Sequence, residues 1–123
     1  MRGGLALALT LLGALAVAPA ADARDRFCSP TGDYCTSTAR IKGAVFLRVG
    51  TFSFRGRVRI CVTDPRARRT CRSWPLRETR AGGFWEAKVR WFRNYPTGGP
   101  GVYRVRFLLG TTRLGPDLDL RVR

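Results

Sequence analysis

The residues best suited to chemistry are four cysteines, in a chain of 123 residues with no histidine. Cys28 and Cys35 bracket the stretch CSPTGDYC, and Cys61 and Cys71 follow later. Structural zinc sites use short C-x2-4-C hooks, commonly with histidine, whereas the spacings here are C-x6-C and C-x9-C. Thioredoxin-like redox work needs C-x-x-C, which is absent. Disulfides remain, and with them the expectation of no metal and no cofactor. Four cysteines allow three connectivities; turn chemistry favours the local pairs Cys28–Cys35 and Cys61–Cys71. In the first, Pro30 suits the second position of a type I turn and Gly32 its last. In the second, a hairpin tip at Pro65-Arg66-Ala67 sets Cys61 directly opposite Cys71, where two Cβ atoms come within bridging reach.

Catalysis finds little support. Without histidine the commonest general base is missing, together with every Ser-His or Cys-His nucleophile arrangement. Asp117 and Asp119 stand two apart on one strand face and are the only paired carboxylates worth weighing, as the acids of a hydrolase. Cross-strand ion pairing accounts for them better: a turn at Thr111-Thr112 places Asp117 opposite Arg106 and Asp119 opposite Arg104. The expected set of catalytic residues is therefore empty.

Charge offers the stronger lead. The chain has 23 basic against 8 acidic residues, a formal net charge of +15, and only Lys42 and Lys88 of the basic residues are lysines. Such a protein is drawn to anionic surfaces, although an excess of Arg, Gly, Ala and Pro is equally the habit of a GC-rich coding sequence. What singles out a site is crowding. Arg66, Arg68 and Arg69 share one hairpin loop, with Arg57 and Arg59 on one face of the strand before it. Guanidinium forks recognise phosphate and carboxylate groups by paired hydrogen bonds, so these five arginines are the candidate anion-binding residues. No base-reading motif accompanies them, and nucleic-acid binding would be blind to sequence. Trp85 and Trp91 share a strand face with Ala87 and Val89, which marks them as core; Trp74, beside Pro75, is the one tryptophan free to be a sugar platform.

The elements that must position these residues are strands. Residues 1–23 read as a signal peptide, with Arg2 ahead of an apolar run over 5–17 and Ala21-Asp22-Ala23 at the cleavage point; the run falls short of the ~20 residues of a membrane span. Cleavage before Arg24 leaves 24–123 as one secreted, extracellular domain with no transmembrane segment. In that domain no window carries helical periodicity, while alternation with period two recurs from Val45, Val58, Trp85, Tyr103 and Leu118. Two weaker segments, 36–42 and 70–76, bring the count to about seven strands. Turn chemistry separates them at Asp64-Pro65, Gly82-Gly83, 95–101 and Gly115-Pro116. One apolar and one arginine-rich face per strand predicts an all-β fold of two antiparallel sheets packed face to face.

The final stretch, GPGVYRVRFLLGTTRLGPDLDLRVR, resembles the last hairpin of small secreted bacterial immunoglobulin-like and fibronectin-like sandwiches, of an actinobacterial type. Gly101, Tyr103 and Val105 match the opening of their penultimate strand, Gly110 the turn and residues 118–122 the last strand. The resemblance implies an immunoglobulin-like sandwich whose tyrosine hydroxyl braces a corner, and brings no activity with it. The combined expectation is a monomeric, non-catalytic binding or structural module that takes anionic cell-surface or cell-wall polymers through its arginines. Its alternatives are a small-molecule carrier, which would need an apolar cleft, and the carboxylate hydrolase.

Overall fold

In a computed structural model, which describes residues 25–123, the alternating segments become β1 (Arg26–Cys28), β2 (Tyr34–Ile41), β3 (Ala44–Thr51), β4 (Arg57–Thr63), β5 (Arg69–Pro75), β6 (Arg77–Glu78), β7 (Trp85–Arg90), β8 (Gly101–Leu109), β9 (Thr112–Arg113) and β10 (Leu118–Val122), with a single helical turn, α1 (Trp91–Asn94), after β7. The expected signal peptide, residues 1–23, lies outside the described residues. The strands form two antiparallel five-stranded sheets, β1-β2-β3-β7-β6 and β10-β8-β4-β5, with β9 beside β8 in the second. The three strands beyond the expected seven are short: β1, β6 and β9.

Period-two burial builds the core. Leu47 and Val49 of β3 and Ala87 and Val89 of β7 face Val58, Ile60 and Val62 of β4, Tyr103, Val105 and Phe107 of β8, and Leu118 and Leu120 of β10. Each large apolar side chain buried this way contributes roughly 1.5–3 kcal/mol. The turns follow their residues. Lys42 and Gly43 both have positive φ, 50° and 79°, and connect the pair Ile41↔Ala44, a two-residue loop whose twist suits a hairpin.

Both disulfides join directly opposed residues, Cys28 with Cys35 and Cys61 with Cys71. The turn inside the first is as expected, Gly32 N donating to Ser29 O at 2.9 Å. It closes a hairpin, because β1 pairs with β2. Asp64 N donates to Arg68 O at 2.9 Å. Alternation along β4–β5 then makes Cys61↔Cys71 a non-hydrogen-bonded pair, where Cα atoms come closest. The second bridge lies on the outer face, yet Cys61 is only 1% exposed, because in register it sits between Cys71 and Arg106.

Two expectations need correction. The strand through Trp85 stops at Arg90, and Trp91 opens the helical turn, in which Tyr95 N donates to Trp91 O at 3.1 Å and Asn94 Nδ2 to Arg90 O at 2.7 Å. Trp91 stays buried all the same. In the last hairpin the turn is Gly110-Thr111, closing Leu109↔Thr112, and not Thr111-Thr112. The extra residues are recovered at Leu114-Gly115-Pro116, so that Leu118 still faces Val105 and Asp119 faces Arg104. An offset of two keeps every side chain on its own face. Gly115 has φ 77°, and the Phe27 ring lies over it where a Cβ would stand.

Tyr103 braces the entry to β8. Its hydroxyl accepts from Gly98 N at 2.8 Å and donates to Gly99 O.

Candidate anion-binding face

Register on the second sheet decides which arginines meet. β5, β4 and β8 lie side by side, and the pairs Thr63↔Arg69 and Thr63↔Arg104 put two arginines on either side of one small hydroxyl residue. Each flank is one strand spacing away, about 4.8 Å. Long side chains around a short one leave a notch of about 130 Å³, lined by Thr63, Arg69, Arg104, Arg106 and Asp117. The next row on this face is the bridged Cys61, between Cys71 and Arg106, and one row beyond it Arg59 is exposed between Ser73 and Leu108, with Leu108 paired in turn with Arg113. Arg121 stands opposite Val102 at the other end of the same face.

The acids on this face differ in what they neutralise. Asp117 takes Arg106 in a two-point contact, Nε to Oδ1 at 2.9 Å and Nη2 to Oδ2 at 3.0 Å, and also Arg113 Nη2 on Oδ1 at 2.8 Å. The Arg106 hydrogen bonds hold the Asp117 carboxyl below the usual carboxylate range, and the Arg106 guanidinium is raised in return. Asp119 opposes Arg104 as expected, but the two make no ion pair among the described residues. Thr38 of β2 instead donates its hydroxyl to the Asp119 backbone carbonyl at 3.4 Å. Arg104 thus lines the notch without an ion-pair partner among the described residues.

The five arginines singled out in the sequence are divided by the fold. Arg69 is the first residue of β5 and lies in the notch. Arg59 shares its face, and so does Arg57, whose guanidinium is tied to Ser73, Nε to Oγ and Nη2 to the carbonyl, both at 3.0 Å. Arg66 and Arg68 sit on the loop, where their backbone N–H groups donate to Asp64 Oδ1 at 2.9 and 2.8 Å. That loop is held at its base, with Asp64 packed on Gly98 and Pro65 on Gly101. Arg68 lines a separate hollow of about 190 Å³ with Thr70 and Thr97. Sequence reasoning missed Thr63 and the availability of Arg104, because both depend on β4 pairing with β8, strands far apart in the chain.

The remaining candidates find structural roles. Trp74 is half-buried and donates Nε1 to the Tyr95 hydroxyl at 2.8 Å, which donates to Ile60 O at 2.8 Å. Burial pushes Tyr95 up to about 12. Trp85 is half-buried against the core under the Arg55 guanidinium, 4.2 Å from its ring centre. Asp117, held ionised by two guanidiniums, is poorly placed to donate a proton as a hydrolase acid must. Among the described residues no helix is long and apolar enough to cross a membrane. Comparisons with protein-family models, with curated proteins and with solved structures find nothing that matches this chain.

Proposed function

We propose that the chain is an exported, non-catalytic, immunoglobulin-like module that binds anionic polymers of the cell exterior through the outer face of its second sheet. The fold part of this reading is supported by strand order. β2-β3-β7-β6 against β10-β8-β4 follows the A-B-E-D and G-F-C order of immunoglobulin constant-type sandwiches, with β5 added beside β4. Tyr103 near the start of β8, bound back to Gly98 and Gly99, matches the tyrosine corner of that fold. Where antibody domains carry the inter-sheet cysteine two residues later, this chain has Val105, so packing replaces the bridge. Export is supported by the signal-like residues 1–23 and by two disulfides, which form and persist in oxidising surroundings.

The observation that carries the binding part is the row Arg69–Thr63–Arg104. A phosphate, sulfate or carboxylate group in the notch meets guanidiniums from both sides and the Thr63 hydroxyl from below. Beyond the Cys61–Cys71 bridge, about 14 Å along β4, Arg59 and then Arg57 add further positive charge, so that a polymer long enough to pass the bridge meets a second group of cations. The protein acts as a monomer and needs no cofactor.

Salt dependence tests this. Neutralised charges release counterions, and affinity falls with salt in proportion to their number. With heparin as probe, Arg59→Ser/Arg69→Ser/Arg104→Ser should flatten that dependence by roughly three charges. The equally charged control Arg77→Ser/Arg80→Ser/Arg93→Ser should leave it near wild type. Equal losses in both variants would mean that binding follows net charge alone and would remove the site.

A further inference from the structure

A second, chemically different cleft opens at one end of the sandwich, where the β2–β3 turn, the start of α1 and the end of β10 meet. Its volume is about 900 Å³, within the range of small-molecule sites. The walls are apolar: Val45 from β3, Val122 from β10, and Trp91 and Phe92 from α1. Phe92 is 73% exposed, the largest exposure of any big apolar residue described. Around these walls stand Arg40, Lys42, Arg90, Arg121 and Arg123, with no carboxylate side chain among the lining residues. Two of the cations are already held in place. Arg40 Nη2 donates to Arg121 O at 2.7 Å, closing the seam between β2 and β10. Arg90 leans over the Phe46 ring at 5.6 Å.

We infer that this cleft binds a small free amphiphilic anion, a flat aromatic carboxylate whose ring lies against Phe92 while its carboxylate meets the cationic rim. The site is separate from the notch, since none of Arg57, Arg59, Arg69 or Arg104 lines it, although Arg121 at the far end of that sheet face lines the cleft as well. Charge complementarity selects an anion, because five cationic side chains without an answering carboxylate side chain favour a negative partner over a neutral one. Concavity selects a small molecule over a flat membrane, since Val45 and Val122 bring walls from both sheets to one hollow. The exposed Phe92 ring selects a planar body, through stacking and contact area.

Isothermal titration of the folded protein with 2-naphthoate tests this, with 2-naphthamide and acetate as the neutral and the body-less controls. One saturable site for naphthoate is expected, at least about tenfold tighter than for either control. Phe92→Ser should weaken it about tenfold, and Ala44→Leu, which fills the cleft from its rim, should abolish it; Arg59→Ser/Arg69→Ser/Arg104→Ser should leave it unchanged. Circular dichroism confirms that each variant is folded, and Lys42→Ser/Arg90→Ser provides a second route that spares the apolar walls and should erase the preference for naphthoate over naphthamide. Equal binding of acid and amide would overturn the inference, as would indifference to Ala44→Leu or loss with the sheet-face variant. Self-association through Phe92 without ligand, or binding to phosphatidylglycerol vesicles but not to naphthoate, would assign the surface to another occupant and overturn it too.

Discussion

Arg106 and Asp117 face each other across the last hairpin and share two hydrogen bonds, at 2.9 and 3.0 Å, while Arg113 adds a third to the same carboxylate. Asp117 has a lowered folded pKa, so its stabilisation is present above the ordinary carboxylate value of about 3.9 and is lost as pH falls through the lowered folded value. Asp117→Asn should cost about 1 kcal/mol at neutral pH and make acid unfolding less steep, as read by urea midpoints from pH 2 to 7. The same change frees two guanidiniums on the anion-binding face and should strengthen heparin binding. A variant that is less stable and binds heparin more weakly would show that Asp117 organises the face.

The two disulfides should differ in value despite their similar loop sizes. Closing loops of 7 and 10 residues constrains the unfolded chain by similar amounts, about 2–3 kcal/mol. Cys61, however, is buried in a middle strand, whereas Cys28 is exposed on an edge. Cys61→Ala/Cys71→Ala should therefore destabilise by more than Cys28→Ala/Cys35→Ala, by about 1 kcal/mol or more from lost packing. Denaturant unfolding of the two variants makes the comparison.

Ala67 holds φ at 66° in the three-residue loop between Asp64 and Arg68, a left-handed position that costs a residue with a Cβ roughly 1 kcal/mol. Ala67→Gly should raise stability by a few tenths to about 1 kcal/mol, the gain being reduced by glycine's greater freedom when unfolded. Thermal unfolding reads the change, and a lower midpoint would refute the strain.

Much of this architecture is legible in the chain. The cysteine pairs and the β4–β5 register follow from local turn chemistry and alternation. What escapes is non-local. The last hairpin keeps its expected register because the two residues displaced at Gly110-Thr111 are restored at Leu114-Gly115-Pro116, and no propensity announces such a compensation. Alternation through Trp91 continues a strand on paper, yet the chain turns there across the end of the sandwich. Arg104 reads as neutralised by Asp119, since a register specifies neighbours and not the reach of their charges. The candidate notch needs β8 beside β4, a pairing of distant segments.

Tyr95 gives an alkaline counterpart to Asp117. Its folded pKa of about 12 lies above the ordinary tyrosine value of 10.0, so the stabilisation it provides is fully present below pH 10 and is lost as pH rises through the folded value. Urea midpoints should fall over that interval. Tyr95→Phe should flatten the fall while costing about 1–2 kcal/mol at neutral pH, because Ile60 O and Trp74 Nε1 both lose their partner. An unchanged alkaline profile in the variant would place the titration elsewhere.

The most direct measurement of the anion-binding account is a nuclear magnetic resonance titration of the isotope-labelled protein with tripolyphosphate at physiological salt, following backbone amides and arginine Nε–H groups together. The account predicts saturable shifts concentrated at Thr63, Arg69 and Arg104, with smaller ones at Arg59 and Arg106, while Arg66, Arg77, Arg80 and Arg93 stay near their free positions. Shifts spread evenly over every exposed arginine, or centred on the Arg66–Arg68 loop, would contradict it.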